Sequence, residues 1–251
     1  MDIGEARILL TGGARGLGRR FALDLCAMGA QVGVCDLDAD GLKALHREAA
    51  ENGAIMWSRR ADVSAEQEVE DLFAAFVAEF GGIDCVVNNA GITRDGLLIK
   101  KRDGNLERFS LANWQVVLDV NLTGVFLCGR EAAYHMVSQG TGGLIVSMSS
   151  VNRVGAVGQT NYSATKAGVA AMTEVWAREL ARYRIRAVAI APGYVMGEMT
   201  RAVPDRVREQ IIERTPLGRL ACEEEISHAL RFVIENDFIT GRVIEVDGGL
   251  R

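Results

Sequence analysis

The chain has 251 residues, 49% of them hydrophobic and 24% charged, with a formal net charge of −5. The acidic balance argues against a nucleic-acid partner, and the apolar content is ample for one sizeable α/β core. No run approaches about 18 uninterrupted apolar residues, so no membrane span is expected.

The opening stretch MDIGEARILL enters an apolar run without a basic region ahead of it, so no signal peptide is expected. Five cysteines (26, 35, 85, 128 and 222) lack C-x-x-C spacing and read as thiols of the core in a reducing, cytoplasmic setting. The three histidines (46, 135, 228) show no metal-ligand spacing, and no metal is expected.

Ile8-Leu9-Leu10 reads as a short buried strand. TGGARGLG (11–18) follows and opens an amphipathic run, giving Gly12-x3-Gly16-x-Gly18 between a strand and a helix. In that context small residues let a backbone approach a pyrophosphate, and the helix N-terminus offers N–H groups and a positive dipole end. The next strand, 31–35, ends at Asp36. An acidic residue about 20 positions after a glycine turn can accept hydrogen bonds from an adenosine ribose and repels a 2′-phosphate. That favours NAD(H). Arg15 in the turn pulls toward NADP(H), but an arginine can turn to solvent where a carboxylate cannot stop repelling.

A polar-faced helix is expected over 37–52 and a strand over 54–60, followed by Asp62-Val63. Ser64-Ala-Glu-Gln67 fits a capping box opening a helix to about Phe80, which Gly81-Gly82 stops. Strand 83–87 leads into Asn88-Asn89-Ala90-Gly91. The βα alternation implies a doubly wound parallel sheet of about seven strands with helices on both faces and right-handed crossovers. Ligands of such sheets sit beyond the strand C-terminal ends, so Gly12, Asp36, Asp62, Asn88 and Ser150 should meet on one edge.

Residues 94–112 are polar and read as an exposed surface loop with weak helical parts, placed to lie over a site mouth. A long helix over 113–134 carries Asn121, which is mildly unfavourable inside a helix and so needs exposure or a role. Strand 144–148 ends at Ser149-Ser150, and the stretch SSVNRVGAVGQTNYSATK places Tyr162 four residues before Lys166. On a helix those two share a face, and an adjacent ammonium should pull a phenol below its ordinary value near 10. A phenol so tuned is a usable general acid or base. Helix 164–182, strand 186–191 closed by Pro192-Gly193, a mobile-looking segment 194–215, helix 223–236 and strand 243–246 complete one domain over 1–251.

Taken together, TGGARGLG, Asp62-Val63, NNAG (88–91), Asn121, the Ser-Tyr-Lys set and Pro192-Gly193 resemble the classical short-chain dehydrogenase/reductase family, in family order over nearly the whole chain. NNAGITRDGLL, GQTNYSATKAGV and ITGRVIEVDGG are most similar to 3-oxoacyl-(acyl carrier protein) and acetoacetyl-CoA reductases. The resemblance implies a single NAD(P)-binding Rossmann domain with a substrate loop about 194–215. It implies hydride transfer between NAD(P)(H) and a ketone or secondary alcohol. Tyr162 would exchange the proton and Lys166 would lower its pKa and hold the nicotinamide ribose. A serine would polarise the carbonyl, and Asn121 would hold a relay water. Ser150 is favoured by alignment on the strand, with Ser149 the alternative by spacing. Gly12, Arg15, Gly16, Leu17, Gly18, Asp36, Leu37, Asp62, Val63, Asn89, Ala90, Gly91, Tyr162, Lys166, Pro192, Gly193 and Val195 would contact the cofactor. The family's usual threonine after Pro-Gly is Gly197 here, which leaves backbone or Thr200 to share the grip. A homotetramer is implied. The substrate stays open among a 3-oxoacyl thioester and a small secondary alcohol, sugar or steroid-like ring. A non-catalytic dinucleotide sensor would be expected to have lost Tyr162, Lys166 or the serine.

Overall fold

The computed structural model describes residues 1–197, Thr200 and 204–250. The chain alternates β1 (Arg7–Thr11), α1 (Gly16–Ala27), β2 (Gln31–Asp36), α2 (Ala39–Glu51), β3 (Met56–Arg60), α3 (Glu66–Phe80) and β4 (Cys85–Asn88). After an excursion it resumes with β7 (Gly143–Met148), α6 (Thr160–Leu180), β8 (Ile185–Pro192), α7 (Asp205–Arg214), α8 (Glu223–Glu235) and β9 (Arg242–Val246). Seven strands form one parallel sheet in the order β3-β2-β1-β4-β7-β8-β9.

Both faces of this sheet are covered, which is why its strands read as nearly unbroken apolar runs. Ile8 and Leu10 of β1, Val87 of β4, Val146 of β7 and Ile190 of β8 join α1, α2 and α8 in one core. Leu9, Val86, Ile145 and Ala187, one residue out of phase, join α3, α6 and the helix α5 (Gly124–Gln139) in the other. The chain winds outward from β1 to β3, then crosses to β4 on the other side of β1. That reversal opens a crevice at the C-terminal ends of β1 and β4, where such sheets hold ligands.

Several local expectations change. Ser64 does not cap α3. Its hydroxyl and N–H both donate to Asp62 Oδ1, at 2.7 and 2.9 Å, and the helix begins at Glu66. The Asp62 carboxylate outcompetes the helix terminus for that serine. Residues 94–112 are not a loop with helical parts. They carry an antiparallel ribbon, β5 (Ile99–Arg102) and β6 (Asn105–Arg108), and its turn holds Asp103 and Gly104 at φ 48 and 81°. The long helix is α4 (Leu111–Leu118), a π-helical turn (Asp119–Thr123) and α5 (Gly124–Gln139). This helical run, Leu111–Gln139, is long and apolar enough by composition to cross a membrane. Its inward face nevertheless belongs to the core through Val117, Val125, Cys128, Ala132 and Met136. The 194–215 segment contains helix α7, and parts of that segment lie outside the described residues. Cys35, Cys85 and Cys128 are buried as expected of core thiols, whereas Cys222 is exposed at the N-terminus of α8.

Candidate active site

The crevice at the β1–β4 switch is built by backbone. Gly12 has φ 68°, and a Cβ there would stand 2.6 Å from the Ala90 Cα. At Gly18 a Cβ would stand 2.1 Å from the Gly12 carbonyl oxygen, so only glycine permits this approach of α1 to β1. Asn89 Nδ2 donates to Thr11 O and Gly12 O at 3.1 and 2.8 Å. The N–H groups of Asn89 and Ala90 both donate to Thr11 Oγ1 at 3.1 Å. The strand ends are thereby stitched together around the turn. Gly16, at φ 54°, faces open space, and α1 begins without a side-chain cap. Its first-turn N–H groups therefore lack a side-chain cap and are available to an anion.

Asp36 ends β2 beside this turn. One carboxylate oxygen accepts from Ala14 N and the other from Asp38 N, both at 3.0 Å. Leu37 and Arg15 are exposed, and Arg15 has no ionic partner among the described residues. Leu17 packs partly onto the core. Asp62 is occupied by Ser64, while Val63 is buried against Gly124. Asn88 does not open to the edge. Its buried side chain donates to Ser147 Oγ at 3.3 Å and turns into the sheet. Pro192 closes β8, Gly193 is pressed against Asp247, and Val195 bridges to Ala221. The Thr200 hydroxyl donates to Val195 O at 2.8 Å and accepts from Gly197 N at 2.9 Å, so it closes this loop rather than reaching out of it.

Tyr162 and Lys166 lie one turn apart near the start of α6. The Lys166 ammonium is buried, sits 5.5 Å from the Tyr162 ring centroid and donates to Met148 O at 2.7 Å. Asn121 is fully buried on the π-helical turn, exchanging hydrogen bonds with Ile92 at 2.8 and 2.9 Å. A Cβ on Gly91 would meet Asn121 Oδ1 at 3.5 Å and Lys166 Nζ at 3.7 Å, so the amide, the ammonium and the loop after β4 converge there. The π-turn accounts for an asparagine in a helix: the widened turn aims an amide at backbone that would otherwise be unsatisfied. The two serines part company. Ser149 Oγ donates to Lys166 O at 2.8 Å and is committed to α6. Ser150 Oγ accepts from Asn152 N at 3.1 Å and stands within hydrogen-bonding reach of the Tyr162 phenol.

The electrostatics correct one expectation. Lys166 does not hold the phenol down in the folded chain. Burial raises Tyr162 above its ordinary 10, and only the Ser150 hydroxyl opposes that rise. Although the residue keeps some solvent access, its phenol is surrounded by protein atoms, and that crowding governs the shift. Burial likewise brings Lys166 from 10.5 to about 8. Desolvation disfavours the charged form of both groups, and here it exceeds their mutual attraction.

Four residues of this rim carry no motif signal of their own. Asn161 is fully buried, holds Arg94 O and Asn113 O at 3.0 Å, and so ties two segments to the start of α6. Asn152 donates to Gln159 Oε1 at 3.0 Å, and Gln159 in turn donates to Asp95 Oδ2 at 2.9 Å. A separate cleft of about 660 Å³ opens at the opposite, N-terminal edge of the sheet. Arg7 and Arg186 there are paired with Asp84 and Asp237, and none of the proposed site residues lines it, so volume does not mark the chemistry here.

Comparison with known proteins establishes the family. A family model described as enoyl-(acyl carrier protein) reductase matches residues 12–251. The chain is 37% identical over 244 residues to a 3-oxoacyl-(acyl-carrier-protein) reductase FabG of Thermotoga maritima, covering 96% of each. The chain belongs to the short-chain dehydrogenase/reductase family. As a short-chain dehydrogenase/reductase it is an oxidoreductase of CH–OH groups that uses a nicotinamide dinucleotide. It is also 37% identical over 260 residues to a (3R)-3-hydroxyacyl-CoA dehydrogenase of Mus musculus, covering 98% of this chain and 96% of that one. A crystal structure from Agrobacterium tumefaciens, described provisionally as a gluconate dehydrogenase, superposes with a TM-score of 0.91. It shares 33% identity and covers 99% of this chain and 97% of its own.

Proposed function

We propose that this short-chain dehydrogenase/reductase reduces a 3-oxoacyl thioester, or oxidises the matching 3-hydroxyacyl thioester, with NAD(H) as its preferred dinucleotide. The observation that carries the reaction is the meeting of Tyr162, Ser150, Lys166 and Asn121 beside the glycine crevice. Relatives named for 3-oxoacyl and 3-hydroxyacyl thioesters support the substrate class.

The residues fit a dinucleotide: an uncapped α1 N-terminus for its phosphates and a carboxylate at the end of β2 for its ribose. Gly12, Gly16 and Gly18 would admit the pyrophosphate, Asp36 and Leu37 would receive the adenosine end, and Gly91, Lys166, Pro192, Gly193 and Val195 would border the nicotinamide end. Arg15, Leu17, Asp62, Val63, Asn89 and Ala90 complete the proposed cradle. When bound, the dinucleotide supplies or accepts the hydride. Ser150 orients the substrate oxygen. Tyr162 gives that oxygen a proton at Oη in reduction and takes it back in oxidation. With its pKa raised, the phenol stays protonated through neutrality and is ready as an acid. Asn121 fixes the loop after β4, and Lys166 lies against that loop and the phenol.

The test is a panel of 3-oxoacyl thioesters, simple ketones, sugar acids and secondary alcohols with both dinucleotides. We expect kcat/KM to be highest on a thioester, and at least about tenfold higher with NADH than with NADPH, the scale of one repelled phosphate. Equal or better use of NADPH would refute the role given to Asp36. Turnover of sugar acids alone would favour the reading that the gluconate-type neighbour supports.

We further propose a homotetramer of a cytoplasmic protein. Exposed Leu111, Val116, Phe126 and Tyr134 along α4 and α5 leave an apolar helical face for a second copy. Light scattering at micromolar concentration should give four times the chain mass, and a monomer would overturn it.

A further inference from the structure

The β5–β6 ribbon has none of its eight residues buried. A two-stranded hairpin alone is marginal in water, and among the described residues the hydrogen bonds that tie this one to the body lie at its stem. Phe109 N donates to Leu98 O at 3.0 Å, Gly96 N to Gly158 O at 2.8 Å, and Asn161 Nδ2 to Arg94 O at 3.0 Å. Gly158 and Asn161 belong to the stretch running into Tyr162. The arm therefore projects from the rim of the reactive phenol.

Its register sorts the side chains. Ile99 is opposite Arg108 and Lys101 opposite Leu106, so these four share one face. Lys100, Glu107, Arg102 and Asn105 share the other. The first face carries two cations, two aliphatic side chains and no carboxylate. Ile99 is 52% exposed and Leu106 71%. Two of the chain's four lysines stand on this one strand, in a protein of net charge −5.

We propose that this face docks an acidic protein that delivers the acyl group as a thioester; the inference rests on the thioester reading above. Cations interleaved with exposed aliphatics over about 10 Å of ribbon suit the mixed surface of a protein partner. A compact nucleotide anion would need its cations gathered in one nook. An anionic lipid surface would call for a longer contiguous basic cluster than this arm offers, since Asp103 and Glu107 interrupt its Lys and Arg residues.

The experiment compares wild type with the double charge reversal K101E/R108E and with I99S/L106S. It uses one 3-oxoacyl group carried on an acidic carrier protein, on coenzyme A and on N-acetylcysteamine, at low and raised salt. The charge reversal is expected to raise KM for the protein-borne substrate roughly tenfold and to abolish its salt dependence. The apolar variant is expected to raise that KM severalfold. Turnover of the N-acetylcysteamine thioester should be unchanged in both. An equal change on all three substrates, no change on any, a loss confined to the coenzyme A thioester, or binding to anionic vesicles that the reversal removes would each overturn the proposal. A wild type active on none of the thioesters would instead refute the thioester reading itself, and the docking proposal with it.

Discussion

Tyr162→Phe is expected to lower kcat by about three orders of magnitude, the scale of a lost general acid. Its stability should change by less than about 1 kcal/mol, since only one hydroxyl and its bond to Ser150 are removed. The direction of catalysis supplies a second signature. Because burial raises the phenol above 10, alcohol oxidation should climb with pH well beyond neutrality, where more phenolate becomes available. Ketone reduction should hold level through neutrality and fall only as the phenol loses its proton. Retention of more than a tenth of kcat by the phenylalanine variant would remove Tyr162 from the chemistry.

Lys166→Met is expected to do two opposite things: reduce turnover by at least about a hundredfold and stabilise the fold near neutral pH. A buried lysine brought from 10.5 to about 8 costs the folded chain about 3 kcal/mol at pH 7. Methionine removes that cost but leaves the Met148 carbonyl without its donor, a loss of about 1 kcal/mol. A net gain of about 2 kcal/mol should remain. The sign with pH follows from proton counts. Between about 8 and 10.5 the unfolded chain holds more protons at this lysine than the folded one, so wild-type stability rises across that window. The advantage of the methionine variant must shrink over the same window and be gone by its upper end. Denaturant unfolding at pH 7 and pH 10 measures it. A variant less stable than wild type by the same amount at both values would show that the ammonium is well satisfied where it sits.

Such an opposition between stability and activity is expected where a site holds charge in a desolvated place. The arrangement also explains why the free folded chain has its phenol displaced upward rather than downward: neither group can easily hold its charge alone. Pairing with an anionic or hydroxyl-bearing ligand would favour the charged lysine, and that would draw the phenol back.

Period and punctuation were enough to read the sheet. Near-continuous apolar runs at β1, β4, β7 and β8 report burial on both faces, and glycine turns report where the chain approaches itself. The positions of Tyr162 and Lys166 followed from a spacing of four on one helix. Assigning the hydroxyl geometry between Ser149 and Ser150 did not. Adjacent residues leaving a strand point to opposite sides, and only the docking of α6 decides which one meets a helix carbonyl and which the phenol. The ribbon at 99–108 carried an Asp-Gly turn but lacked alternating apolar flanks, so its local signal was weak. Asn121 stood out as an asparagine inside a helical pattern, but the π-turn that carries it and its bonds to Ile92, 29 residues away, had no local signal. Local pattern determined the sheet's strands, their order and the pairing of Tyr162 with Lys166 on one helix, because those depend on periodicity along the chain. Tertiary structure decided the direction in which burial shifts Tyr162 and Lys166 and which serine hydroxyl lies beside the phenol, because desolvation and hydrogen-bond partners come from segments distant in sequence.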